Sequence, residues 1–244
     1  MSGLWHRTPA KLRLSETYID IWRTSLNLTR HEIDACLALL SPDEIARANR
    51  FKVKRKYREY IISRGLLRRI LGLTLGTDPA DFEFEYSEHD KPLLNLIHKG
   101  APVTFNVSHS HEQTLIAVTL GHALGIDIEQ VRQDVQFRQL AKRFFSAQEA
   151  RELETYTEAG IPRAFFACWT RKEAFVKALG DGIAFGLNEF SVSVNPFDDN
   201  VALTTHWDPE EAGNWSLLNI HTDADYIAAL AVAGQGFKIR YWEF

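Results

Sequence analysis

The order of secondary-structure patterns along the chain repeats, and this repeat constrains the fold more than any other feature. In each half, helix-like segments come first and apolar strand-like runs follow. The main patterns are helical at 46–70, 137–154 and 162–180, and strand-like at 17–26, 81–87, 103–110, 114–121, 189–194, 215–222, 226–234 and 238–244. Short runs of this kind between turn residues are typical of antiparallel sheets. The repeat predicts an α+β fold of two similar halves, residues 1–123 and 124–244, each a small antiparallel sheet packed with helices.

Composition narrows the class of protein. The 244 residues are 45% hydrophobic and 25% charged, as in ordinary globular domains, and the net charge of −4 gives no general reason to expect a nucleic-acid partner. The two cysteines form no disulfide or metal-binding pattern, and neither a secretory signal nor a membrane-spanning run is visible. We therefore expect a cytoplasmic protein without a membrane partner. Because a duplicated chain already contains a pair of halves, we expect a monomer.

The charge is unevenly distributed. Residues 46–70 carry ten Lys or Arg against the single acid Glu59, and their apolar residues recur at helical spacing. Such a helix is either a solvated basic face or a surface for phosphates or for an acidic partner. The pattern alone leaves both interpretations open.

The segment "ALGIDIEQ" (123–130) ends an apolar, strand-like run with two acids. Asp127 and Glu129 are two residues apart, so a strand directs both carboxylates to one face. Two neighbouring anions repel, and the pKa of one must rise unless a positive charge lies close by. The pattern therefore predicts a cation at this place.

Two further segments supply candidate partners. In "WTRKEAFVKALG" (169–180), Glu173 and Lys177 lie on one helical face. They are either a common pair on a helix surface or, since the surrounding residues are apolar, a buried pair that needs further partners. In "FNVSHS" (105–110), Ser108 and His109 are either hydrogen-bond donors to an anion or a plain polar strand end.

Together these motifs resemble those of the Sfp-type phosphopantetheinyl transferases. "FNVSHS", "GIDIEQ", "FFSAQEARELE" and "WTRKEAFVKALG" occur in the family's order and at similar separations, and the resemblance extends from about Ser41 to Val194. It implies two pseudo-symmetric α+β halves with the active site at their interface. The implied reaction moves the 4′-phosphopantetheine arm of coenzyme A to a serine hydroxyl of an apo acyl, polyketide or peptidyl carrier protein, and releases adenosine 3′,5′-bisphosphate.

The resemblance also implies roles for individual residues. Asp127, Glu129 and Glu173 would hold Mg²⁺, which Mn²⁺ could replace; Glu173 would act as the base, and Lys177 would contact a phosphate and could assist proton transfer. The residues implied to bind coenzyme A are Arg47, Arg55, Lys91, Ser108, His109 and Lys177. Asp90 departs from the family, which usually has glycine before the lysine that matches Lys91.

Three alternatives from other classes follow from the same residues. A non-catalytic module for coenzyme A or another nucleotide would bind without transfer. A metal-dependent phosphohydrolase would release phosphate or nucleotide with no acceptor protein present. A nucleic-acid-binding protein would use the basic segment 46–70, and its binding would weaken steeply with salt.

Overall fold

The computed structural model describes residues 4–87, 91–180 and 186–244. The chain divides into two compact units. The first comprises the chain up to Val107, His111–Gly121 and Lys238–Phe244, and the second comprises Ser108–Ser110 and His122–Phe237. The boundary near residue 123 stays a prediction; the C-terminal segment, which it would assign to the second half, belongs to the first unit.

Both units contain helices and strands, which follow one another along the chain in separate runs. The helices of the described residues are α1 (Arg30–Leu37), α2 (Pro42–Ala48), α3 (Lys54–Leu75), α4 (Phe137–Phe144), α5 (Ala147–Leu153) and α6 (Ile161–Leu179). The strands are β1 (His6–Arg7), β2 (Tyr18–Ser25), β3 (Glu85–Tyr86), β4 (Pro92–Leu93), β5 (Ile97–His98), β6 (Ala101–Ser110), β7 (Gln113–Leu120), β8 (Leu124–Gln130), β9 (Phe190–Val192), β10 (Leu203–Thr205), β11 (Trp215–Ile220), β12 (Tyr226–Ala233) and β13 (Lys238–Glu243). This confirms the predicted α+β class of small, largely antiparallel sheets with helices.

The first unit is built on a mixed sheet. Its strand order is β1-β13-β2-β7-β6-β5, and β13 runs parallel to both of its neighbours while β2 and β7 are antiparallel. The 22-residue helix α3 shares a core with this sheet, in which Ile62 and Leu66 of the helix and Trp22 of β2 are buried. A separate short hairpin, β3–β4, pairs Tyr86 with Pro92.

The basic segment is not one solvated helix face. Residues 46–48 end α2, and α3 begins at Lys54. Arg64 and Arg68 of α3 are buried and pair with the buried carboxylate of Glu44 at 3.2 and 2.8 Å. These two cations therefore join α2 to α3, since a buried carboxylate needs partners.

The second unit has an antiparallel sheet in the order β11-β12-β8. Helix α6 packs on β8 and β12, and its buried apolar residues form the unit's core with α4, α5 and β9. In the register of β8 with β12, Asp127 lies opposite Ala229 and Glu129 opposite Ile227. The sheet thus fixes where both acids lie.

Several predicted elements are shorter than their patterns, among them the strand predicted at 189–194, which is reduced to β9. The helix predicted at 137–154 is two helices, because Ser146 caps α5 in a reciprocal capping box with Glu149. The strand predicted at 81–87 is reduced to β3, because Pro79–Asp81 forms a short 3₁₀ turn that the side chain of Asp78 caps. Over the described residues, no helix combines the length and apolar character that crossing a membrane requires.

Candidate active site

A close approach of α6 to β8 brings the predicted residues of the second unit together. A Cβ at Gly125 would lie 2.2 Å from the carbonyl oxygen of Ala174 and 2.5 Å from the amide nitrogen of Ala178, so only glycine allows this contact. Asp127 and Glu129 share the strand face of Gly125. In the "GIDIE" motif, the glycine therefore allows α6 to pack closely on β8, and the two carboxylates face α6.

Asp127 is buried and bonded through one carboxylate oxygen. Its Oδ1 accepts a hydrogen bond from Lys177 Nζ at 2.6 Å and another from Ser108 Oγ at 2.8 Å. Lys177 Nζ also donates to Ser108 Oγ and to the carbonyl of Ile126. The predicted positive charge beside Asp127 is, in the structure, the ammonium of Lys177.

Glu129 has a hydroxyl partner of its own. Ser110 Oγ donates to Glu129 Oε2 at 2.8 Å and accepts from the backbone N–H of Gln130. Ser108 and Ser110 of β6 thus donate hydrogen bonds to Asp127 and Glu129 of β8, respectively. Burial raises the pKa of Glu129, the hydrogen bond from Ser110 lowers it, and the charge of Asp127 raises it further.

Glu173 lies one helical turn before Lys177 on α6 and is half-buried. Burial is the main cause of its raised pKa, and the carboxylate of Asp127 adds to it, while Lys177 lowers it. Its Oε1 is buried without a hydrogen-bond partner, and so is Oδ2 of Asp127. Buried charged oxygens without partners are unfavourable, so both are suited to a ligand.

Hard carboxylate oxygens are the donors that Mg²⁺ and Mn²⁺ prefer, and the two unpartnered oxygens fit such an ion. In the present arrangement, however, no group of three or more His, Cys, Asp or Glu side chains among the described residues is close enough to hold a metal. The hydrogen bonds from Lys177 and the two serines described above use one oxygen each of Asp127 and Glu129. Binding of one ion by all three carboxylates would therefore require the carboxylates to approach one another, and the serine hydrogen bonds could be kept.

The residues predicted to bind coenzyme A have different surroundings. Ser108 is buried and bonded to Asp127, and His109 is exposed at the end of β6. In the first unit, the guanidinium of Arg47 lies over the ring of Tyr86, and Arg55 pairs with Glu59 at 2.6 Å. Lys91 precedes β4, and Asp90 lies outside the described residues.

One buried charged pair between α6 and α5 was missed by sequence reasoning. Lys172 Nζ pairs with Glu149 at 2.8 Å and donates to the carbonyls of Leu187 and Phe190, and both charged side chains are fully buried. The available signal was the apolar surroundings of Lys172, because a lysine in such a helix needs an anion elsewhere in the unit.

Comparisons with known proteins agree with these features. Residues 24–120 match the family model described as 4′-phosphopantetheinyl transferase, N-terminal, and residues 123–231 match the 4′-phosphopantetheinyl transferase superfamily. The 4′-phosphopantetheinyl transferase HetI of Nostoc sp. is 36% identical over 98% of this chain and 98% of its own. The chain belongs to the 4′-phosphopantetheinyl transferase superfamily. It is an enzyme that transfers phosphopantetheine to carrier proteins, as the motifs predicted, rather than a non-catalytic binding module or a phosphohydrolase.

Other relatives are more distant. The 4′-phosphopantetheinyl transferase Sfp of Bacillus subtilis is 26% identical over 86% of this chain and 89% of its own, which supports the Sfp-type assignment. The match to the structure of holo-[acyl-carrier-protein] synthase from Thermotoga maritima covers 46% of this chain and 63% of that chain, with 24% identity and a TM-score of 0.35.

Proposed function

We propose that this transferase uses coenzyme A as the donor, that Glu173 is the base, and that Asp127, Glu129 and Glu173 hold a divalent cation. The acceptor is a serine hydroxyl of an apo acyl, polyketide or peptidyl carrier protein. The observation that supports this most is the pair of buried, unpartnered carboxylate oxygens, Asp127 Oδ2 and Glu173 Oε1, beside the ammonium of Lys177.

The proposed step is a phosphoryl transfer. The serine oxygen of the carrier attacks the phosphorus on the pantetheine side of the pyrophosphate, and the serine proton passes to the carboxylate of Glu173. The bond from that phosphorus to the bridging oxygen breaks, and its electron pair leaves with adenosine 3′,5′-bisphosphate. Catalysis of such a step consists mostly of positioning and charge stabilisation.

Mg²⁺ is the proposed ion, and Mn²⁺ could replace it. When bound, it would stabilise negative charge on the phosphates. Ser108 and Ser110 fix the orientation of Asp127 and Glu129 through the hydrogen bonds described above. Those serines therefore act as positioning residues for the carboxylates.

Lys177 is proposed to contact a phosphate oxygen of coenzyme A. Its side chain is 28% exposed, so its ammonium can reach a ligand while its stem stays packed. The other residues proposed to bind coenzyme A are Arg47, Arg55, Lys91, Ser108 and His109. All five side chains can donate hydrogen bonds to the 3′-phosphate, and the two arginines can form paired hydrogen bonds to its oxygens.

The test is intact-protein mass spectrometry of an apo carrier protein incubated with this enzyme, coenzyme A and Mg²⁺. We expect the carrier to gain one phosphopantetheine arm. Asp127→Ala and Glu173→Gln should abolish the gain, and so should EDTA, with recovery on addition of excess Mg²⁺. Transfer that persists in EDTA or in both variants would refute the proposed ion site.

A further inference from the structure

The β3–β4 hairpin ties an aromatic residue to Lys91. Tyr86 of β3 pairs with Pro92, the residue after Lys91. The backbone N–H of Ser87 donates to the carbonyl of Lys91 at 2.9 Å, and the N–H of Lys91 donates to Ser87 Oγ at 3.2 Å. The position of the Tyr86 ring and that of the Lys91 backbone are therefore set by one small element.

The same ring carries Arg47. The guanidinium carbon of Arg47 lies 3.9 Å from the centre of the Tyr86 ring, well within the range of a cation–π contact. Arg47 is in the last turn of α2, whose Glu44 is anchored by the two buried arginines of α3. The stack thus links a fixed helix to β3 of the hairpin, whose second strand β4 begins directly after Lys91.

We propose that Tyr86 is a positioning residue for the 3′-phosphate of coenzyme A. It would hold the guanidinium plane of Arg47 against the hairpin, so that Arg47 and Lys91 are ordered before the ligand arrives. This inference rests on the proposed function, in which both cations bind that phosphate.

The physical reason is conformational. A free arginine side chain has several rotatable bonds, and ordering it on binding reduces affinity. A guanidinium stacked by one face on a ring has its N–H groups along its edge, in the plane in which it can meet a phosphate, and the stack orders it in advance. Neither serine hydroxyls nor aliphatic residues provide such a flat support.

The test compares coenzyme A with 3′-dephospho-coenzyme A, with binding measured by isothermal titration calorimetry on the full chain. Tyr86→Leu should weaken coenzyme A binding about 5- to 30-fold, as expected for the loss of a partly desolvated cation–π contact. Binding of 3′-dephospho-coenzyme A should change less than about twofold, because the ordered arginine then has no phosphate to bind. In transfer assays the KM for coenzyme A should rise while kcat stays the same.

Three other variants isolate the stack. Tyr86→Phe retains the ring and should bind coenzyme A like wild type. Arg47→Lys retains the charge but loses the flat stack, so it should weaken coenzyme A binding and spare the dephospho analogue. Tyr18→Leu is the matched control: Tyr18 also carries an arginine, with Arg240 at 4.4 Å from its ring, and should bind both ligands like wild type.

The outcomes separate this inference from the function on which it rests. If Arg47→Ala binds coenzyme A and its dephospho analogue with the wild-type ratio, then the assignment of Arg47 to the 3′-phosphate is wrong. If Arg47→Ala abolishes that ratio but Tyr86→Leu leaves it unchanged, the positioning role of Tyr86 is wrong. Equal weakening of both ligands by Tyr86→Leu would also overturn it. Should Tyr86→Leu not fold, Arg47→Lys decides, and wild-type discrimination by that variant overturns the inference.

Discussion

Two lysines of helix α6 each pair with a carboxylate of another element, and the two pairs differ in burial. Lys172 with Glu149 has side chains 0% and 1% exposed, whereas Lys177 with Asp127 has side chains 28% and 7% exposed. Each ammonium has at least three oxygen partners among the described residues. The difference lies in the carboxylates.

Both carboxylate oxygens of Glu149 have partners within the protein. Its Oε2 accepts from the N–H of Ser146 and its Oε1 from the N–H of Val192, in addition to the ion pair with Lys172. Asp127 has one buried oxygen without a partner, and so does neighbouring Glu173. A fully bonded pair therefore supports the fold, whereas an incompletely bonded pair that involves the same helix is suited to bind a ligand.

The largest effect on stability should come from breaking the fully buried pair of Lys172 with Glu149. Glu149→Gln leaves the ammonium of Lys172 buried without an anion, so the free energy of unfolding should fall by about 3–5 kcal/mol. The matched substitution Asp127→Asn should lower it by less than about 1 kcal/mol, because Lys177 can turn toward solvent and repulsion with Glu173 is relieved. Urea unfolding followed by circular dichroism measures both, and equal losses would contradict the distinction.

For activity we expect the opposite order, with the larger loss in Asp127→Asn. Asp127→Asn should reduce the rate of phosphopantetheine transfer by about 10²–10³-fold, since the divalent cation that would stabilise charge on the phosphates is held less tightly. Glu149→Gln should keep the rate within about threefold at a temperature where it is folded, because Glu149 contacts only structural groups. The assay is the initial rate of carrier modification. A Glu149→Gln enzyme that is folded but inactive would show that the buried pair also serves the reaction.

A smaller effect is expected at the serine that orients Glu129. Ser110→Ala removes the hydrogen bond to Glu129 Oε2, and the Mg²⁺ concentration for half-maximal transfer should rise about tenfold, as for other groups that orient a ligand of a metal. Ser25→Ala removes an exposed hydroxyl that accepts from Asn27 and serves as the control. An unchanged Mg²⁺ requirement in Ser110→Ala would show that Ser110 does not orient Glu129 for the ion.

The strand and helix patterns predicted most elements because their periodicity reports burial directly. The capping box at Ser146 and Glu149 is also visible in the sequence and could have predicted the break between α4 and α5. The pairing of Lys177 with Asp127 could not be predicted, because it depends on the crossing of α6 over β8 at Gly125.

The partner of Lys172 was equally beyond the sequence. Lys172 and Lys177 are five residues apart, which separates them by about 140° around a helix, so they face different elements. Which elements these are depends on how α5, β9 and β8 are arranged in the folded unit. The opposite roles of the two lysines follow from that arrangement and not from residue type.

The most direct measurement is Mn²⁺ binding followed by electron paramagnetic resonance, with coenzyme A present and no carrier protein. The wild-type chain and Glu149→Gln should each bind a single Mn²⁺, while Asp127→Asn and Glu173→Gln should bind it at least about tenfold more weakly. Wild-type affinity in Asp127→Asn and Glu173→Gln, or no binding to the wild-type chain, would contradict the assignment of these carboxylates to a divalent cation.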